Sequence, residues 1–180
     1  MICCFILQIS DETILLDTRS FTTTKGPRLN EKRFSHDCVL IEDSGISVIY
    51  VAGGYYVNEA KTAFYHPTIE TLRLTNDNFA ENEWTVEEEI DNNVVLPNKF
   101  QSGSSKHRVL NRNGLQLVKS NAKHDLFYLT GGWEASNSNY IEQIWAMTRS
   151  KIWEPMESSL KYQRSDHQTL NVPSGSLKGC

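Results

Sequence analysis

The chain has 180 residues, 39% hydrophobic and 22% charged, with a net charge of −4. This is the make-up of a globular protein with enough chain for one substantial core or two small ones. Its Lys and Arg residues are scattered rather than gathered in a basic stripe, which argues against a nucleic-acid partner, and no apolar run approaches the roughly 20 residues of a membrane-spanning helix. The cysteines, Cys3, Cys4, Cys38 and Cys180, form no C-x-x-C pair. They read as reduced thiols rather than zinc ligands. With no N-x-S/T sequon, a cytoplasmic location is expected.

Met1 to Ile9 is apolar but has neither a basic flank nor a small-residue cleavage site, so it reads as a strand and not a signal peptide. Cys4–Ile9 and Thr13–Leu16 are expected to pair as a hairpin across Ser10-Asp11-Glu12. Phe21–Thr24 is a short β-prone run, broken by Gly26-Pro27. Cys38–Ile41 and Ser47–Ala52 form the clearest hairpin, across Asp43-Ser44-Gly45. Tyr55–Pro67 reads as a loop, Thr68–Leu74 as a strand, Thr75–Asn82 as a turn, and Trp84 with Val86 as a further strand. The acidic run Glu81–Asp91 reads as a solvated edge. Asn92–Asn113 reads as an exposed insertion. Strands are expected at Leu115–Val118, Leu126–Thr130, Ile141–Met147, Trp153–Met156 and Gln168–Val172, with Trp133–Tyr140 as a loop and a loose tail from Pro173. No segment sustains a helical period, so the fold class is all-β.

One pattern recurs. Ser47–Tyr56 reads S-V-I-Y-V-A-G-G-Y-Y and Asp125–Trp133 reads D-L-F-Y-L-T-G-G-W, with the glycine pairs 78 residues apart. Trp84 and Trp153 follow them. Arg33-Phe34-Ser35-His36 and Arg164-Ser165-Asp166-His167 are both R-x-x-H before an apolar stretch, and Arg112 stands in a similar place with Leu115 where the histidine would fall. The repeated Gly-Gly with a spaced Trp resembles the kelch repeat, a four-stranded antiparallel blade of a β-propeller. The resemblance implies outer strands of a preceding blade within residues 1–32, a first blade over 33–98, a loop insertion at 99–111, a second blade over 112–157, and the inner strand of a following blade with a tail over 158–180. It further implies that Trp84 and Trp153 fill the space between blades. Arg33, Arg164, His36 and His167 would pair with backbone carbonyls at the junctions.

Blade strands are scaffold and the loops at their ends carry function. The expected partner-binding residues therefore follow the glycine pairs: Tyr55, Tyr56 and Asn58 in one loop, and Trp133, Asn137 and Asn139 in the other. Rigid aromatics beside adaptable amides suit a protein partner. The five histidines show no short metal-ligand spacing, and no phosphate-binding or nucleophile motif occurs. No catalytic residue, metal or cofactor is expected. The resulting expectation is a non-catalytic interaction module, a fragment of a larger adaptor or scaffold, completed by flanking blades or by self-association. Two alternatives stand beside it: a fragment of a galactose-oxidase-like copper enzyme, with Cys38 the one plausible internal cysteine, and a truncated product without independent function.

Overall fold

Runs rich in Val, Ile and Tyr, separated by Gly, Asp and Asn, favour short pleated strands over helices. The computed structural model describes residues 9–17, 19–43, 45–74, 82–87, 109–110, 112–134 and 138–169. Among them every regular element is a strand, and no helix is long and apolar enough to cross a membrane. Strands β1 (Ile14–Asp17) and β2 (Thr22–Lys25) form a two-stranded ribbon. Then come β3 (Asp37–Asp43), β4 (Ile46–Ala52), a small hairpin of β5 (Tyr55–Val57) and β6 (Ala63–Tyr65), β7 (Ile69–Leu74) and β8 (Trp84–Glu87). Strands β3-β4-β7-β8 pair in that order as an antiparallel sheet, with β5–β6 standing apart. The arrangement then recurs through β9 (Arg112–Asn113), β10 (Gln116–Lys119), β11 (Asp125–Thr130), β12 (Trp133–Glu134), β13 (Asn139–Tyr140), β14 (Gln143–Thr148) and β15 (Trp153–Ser159). Strands β10-β11-β14-β15 make the second four-stranded sheet, and β12 pairs with both β13 and β9.

The first sheet buries both faces, because side chains alternate along each strand. On one face Ile49, Val51, Leu72 and Trp84 pack with Leu29 from the preceding segment. On the other, Val39, Ile41, Ala52 and Ile69 join Leu117, Phe127, Leu129, Trp145, Met147 and Trp153 of the second sheet in one core. Tyr50 meets Phe127 there, with ring centroids 5.2 Å apart. The two sheets are therefore stacked face to face. The same positions recur in each: Ile49 and Phe127 lie four residues before the glycine pairs, and Leu72 and Met147 each oppose a tryptophan across the ladder, Trp84 and Trp153. Each such fully buried side chain contributes about 1.5–3 kcal/mol.

Backbone bonds at the seams follow the same period. Gly54 N–H donates to the Arg112 carbonyl and Gly132 N–H donates to the Arg164 carbonyl, at 3.1 and 2.8 Å. Gly114 N–H donates to the Ser35 carbonyl, and Asp166 N–H in turn donates to the Gly114 carbonyl, at 3.0 and 2.8 Å. Ser35, Gly114 and Asp166 each lie two residues after an arginine, and all three have left-handed backbone, with φ of 54°, 60° and 50°. Three successive units thus share one backbone geometry after their arginines.

Several expectations are corrected. Ile14–Asp17 pairs with Thr22–Lys25, and the expected pairing with Cys4–Ile9 concerns residues that, Ile9 apart, lie outside the description. Asp17 accepts from Arg19 N–H and Ser20 Oγ–H and so closes the turn between β1 and β2. Residues 1–8 lie outside the described residues. The two expected loops after the glycine pairs contain the strands β5, β6, β12 and β13. Val109 and Leu110, at the end of the expected exposed insertion, are buried in the core; residues 99–108 and 111 are outside the description. Of the expected strand Gln168–Val172, residues 168 and 169 are described and carry no strand, and residues 170–180 lie outside the description.

The first glycine of each pair sits under the next unit. A Cβ on Gly53 would lie 2.3 Å from Leu115 Cδ2, and one on Gly131 would lie 2.5 Å from the Arg164 carbonyl oxygen. Gly131 also has a left-handed φ of 59°. We expect Gly131→Ala to cost more than the roughly 1–3 kcal/mol of backbone strain alone, because the contact is with backbone that cannot swing away. Gly45→Ala, also left-handed but facing open space, should cost only the strain. Urea midpoints measure both, and equal losses would rule out the seam as the reason for Gly131.

Candidate functional site

The hairpin after the first glycine pair is closed by Asn58. Its side-chain Oδ1 accepts Thr62 N–H at 2.9 Å, and its carbonyl accepts Lys61 N–H. This Asx-type closure sets Tyr55 opposite Tyr65 and Tyr56 opposite Phe64. Alternation then sorts the rings onto two faces. Tyr56 stacks on Phe64 at 5.3 Å and tilts over His66 at 5.2 Å. Tyr55 meets Phe34 edge-on at 5.5 Å and Tyr65 at 5.9 Å. Tyr65 in turn reaches Trp133 of the second unit at 6.0 Å. These separations lie in the range where aromatic pairs attract beyond their buried area. Phe34, Tyr55, Tyr65 and Trp133 thus form a continuous aromatic row across the two units. Exposed Val57 and Tyr140 flank it, while exposed Phe64 lies with Tyr56 on the other face. Burial, then Tyr55, pushes the Tyr65 hydroxyl above its ordinary range, so the ring stays neutral at the surface.

The Tyr56 face of the hairpin borders a buried polar network through His66. Arg33 is fully buried, and its guanidinium donates to Glu70 Oε1 at 3.2 Å, to the Gly53 and Thr68 carbonyls at 3.0 and 3.2 Å, to Thr68 Oγ1 at 2.7 Å and to Glu31 Oε2 at 3.0 Å. Burial weighs against its charge, while Glu70 and Glu31 favour it. Glu70, also fully buried, accepts Asn30 N–H at 2.6 Å and Asn30 Nδ2–H at 3.0 Å. His66 faces Glu31 Oε2 through Nδ1 and the Lys32 carbonyl through Nε2, both at 2.8 Å. The hydrogen bond from His66, then that from Thr68, holds the Glu31 carboxyl down at about 2. His66 therefore braces the ring of Tyr56 from below while being fixed itself.

Among the expected site residues, Tyr55 and Trp133 are brought together, through Tyr65. Tyr56 points to the opposite face of its hairpin. Asn58 is spent on the turn. Asn139 is exposed in β13 opposite Glu134. Asn137 lies outside the described residues. Sequence reasoning missed Tyr65 and Phe34. Tyr65 had a weak signal: A-F-Y returns two β-prone aromatics after Y-Y-V, across a segment opened by Asn58. The junction pairings differ from expectation in part. Arg33 does bond carbonyls, and Arg112 repeats the bond by donating to the Gly131 carbonyl at 3.1 Å. The Arg164 side chain is exposed and, among the described residues, donates to the nearby Tyr162 carbonyl rather than across a junction. His167 Nε2 pairs with Thr130 Oγ1 rather than with a carbonyl. His36 Nδ1 is buried with no hydrogen-bond partner among the described residues.

Breaking the buried pair should be costly. Glu70→Ala leaves the Arg33 charge short of its carboxylate, and a loss of about 3–5 kcal/mol is expected from urea unfolding. Glu59→Ala, at an exposed turn position, should stay within about 0.5 kcal/mol. A similar loss in both would remove the network from the account of stability. Acid should act in two steps. Burial first, then the charges of Arg33 and His66, hold His36 down at about 4. Its folded value is lower than its unfolded value near 6.5. Its neutral form therefore contributes stability that is complete above about 6.5 and is lost as the pH falls through about 4. Glu31 contributes stability present above its ordinary 4.5 and lost as the pH falls towards about 2. Urea midpoints followed from pH 7 downward should show both limbs, and His36→Leu should lack the upper one. An unchanged upper limb in that variant would exclude His36 as its source. No protein-family model and no curated protein matches the chain, so its function is read from this geometry.

Proposed function

We propose that the chain is part of a kelch-type β-propeller whose hairpins after the glycine pairs form a non-catalytic, protein-binding surface. The observation that carries the propeller reading is the repeated seam, in which Gly54 and Gly132 donate to the carbonyls of the next unit's arginine. Face-to-face stacking of two four-stranded meanders supports it, since a blade buries its faces only against neighbours. Two complete blades do not close a ring. Further blades, from additional sequence or from other copies of the chain, complete it.

The binding surface is the row of Tyr55, Tyr65 and Trp133 with its exposed flank. Aromatic side chains offer large contact area with few rotors to freeze, which suits partner recognition. The rings of the row already rest on one another, so little order has to be gained on binding. Cross-linking capture from cell extract tests the surface. Tyr65→Ala combined with Trp133→Ala should lose the partners that the parent chain captures, while keeping its cooperative unfolding. A double variant that retains every partner would exclude the row as the docking face.

A further inference from the structure

The three seam units meet at a second site that the aromatic row does not include. Residues two to four positions after Arg33, Arg112 and Arg164 surround a depression of about 350 Å³, with Ser35, His36, Asp37, Gln116, Asp166 and His167 on its walls. That volume is at the small end of ligand pockets. The lining carries two carboxylates and neither Lys nor Arg.

We propose that this depression receives a cationic side chain, the ammonium of lysine or the guanidinium of arginine, presented by a partner polypeptide. Three features converge on that class of ligand. Asp37 is held at the wall by Leu117 N–H, which donates to Oδ2 at 2.6 Å. Burial pushes its carboxyl up, and only backbone N–H groups from Leu117 and Cys38 oppose this. An incoming cation would supply the charge that those dipoles replace incompletely. Asp166 stands exposed at the rim, where Oδ2 accepts Ser165 Oγ–H at 3.0 Å.

The second, independent feature is His36. Its Nδ1 is buried and has no hydrogen-bond partner among the described residues. Burial and the neighbouring positive charges keep the ring neutral near pH 7, and a neutral imidazole has an acceptor nitrogen to offer a donor cation. A buried polar atom left unmatched is costly unless a partner arrives. The fold itself does not require it, because the second unit has Leu115 at the same place after its arginine. The third feature is what the site lacks. Among the described residues no three His, Cys, Asp or Glu side chains are grouped as metal ligands, which favours an organic cation over a metal ion.

Isothermal titration of the full chain at fixed ionic strength tests this with three blocked tripeptides, glycine-X-glycine, where X is lysine, arginine or norleucine. The lysine or arginine peptide should bind saturably, and at least about tenfold more tightly than the norleucine peptide. Asp37→Asn keeps an acceptor for Leu117 N–H and should weaken the cation about tenfold. His36→Leu, which copies the second unit, should weaken it severalfold. Trp133→Ala, on the aromatic row, should leave it unchanged, so that failure here and failure of the row are told apart. Urea midpoints of each variant establish that it is folded. Equal binding of the norleucine peptide, absence of saturable binding by either cation, or full affinity in folded Asp37→Asn would overturn the proposal.

Discussion

A guanidinium with no solvent access must find acceptors for five N–H groups, and Arg33 sets the geometry of everything around it. It draws in the carbonyl of Gly53 at the end of β4, the carbonyl and hydroxyl of Thr68 just before β7, and the carboxylates of Glu31 and Glu70. Those groups come from three separated parts of the chain. Their convergence fixes where the entering segment crosses the sheet, how β4 stops, and where β7 begins. The hairpin β5–β6 hangs between two of the anchors and cannot drift. A buried pair of this kind gains little over an apolar replacement, but it is costly to break, because each half is stranded in a low dielectric. The network therefore acts as a register device as much as a source of stability.

The second unit solves the same problem differently. Arg112 repeats the bond to the first glycine's carbonyl. The carboxylate does not recur: Glu70 opposes Val51 across the ladder, and the residue opposing the equivalent Leu129 is Trp145. Trp145 is buried in the main core beside Met147 and Trp153. The difference follows from what each sheet faces. The first covers its outer face with the polar backbone of residues 27–33, where Trp84 Nε1–H also donates to the Pro27 carbonyl. The second covers the same face with the apolar side of the first sheet. A charge at position 145 would have had no backbone to meet.

The parts of this fold that could be read from sequence are those set within a few residues. The β3–β4 hairpin shows itself in Val, Ile and Tyr around Asp43-Ser44-Gly45, and the glycine pairs announce abrupt strand ends. The tryptophans and arginines became informative only through their spacing. What escaped was set at a distance or carried by too few residues. Strands of two or three residues, such as β12 and β13, have no room to show alternation. Glu70 lies in I-E-T-L-R-L, where a charge looks like an outward position, and its partner is 37 residues away. Val109 and Leu110 close a polar, serine-rich stretch, and nothing local marks them as core. Tyr55 and Trp133 were recognisable as candidates, but the ring that joins them, Tyr65, depends on a register fixed by Asn58.

The seams explain why such dissimilar residues can occupy equivalent places. Ser35, Gly114 and Asp166 share one left-handed backbone, and the bonds that link them run from N–H to carbonyl without involving a side chain. Serine and aspartate accept some strain there; glycine does not need to. Because the backbone does the joining, the side chains that follow are released from a structural duty. Leu115 uses that freedom to cover Gly53, and His167 to cover Gly131. His36 heads the first unit, and its imidazole is retained where an aliphatic side chain serves the next unit.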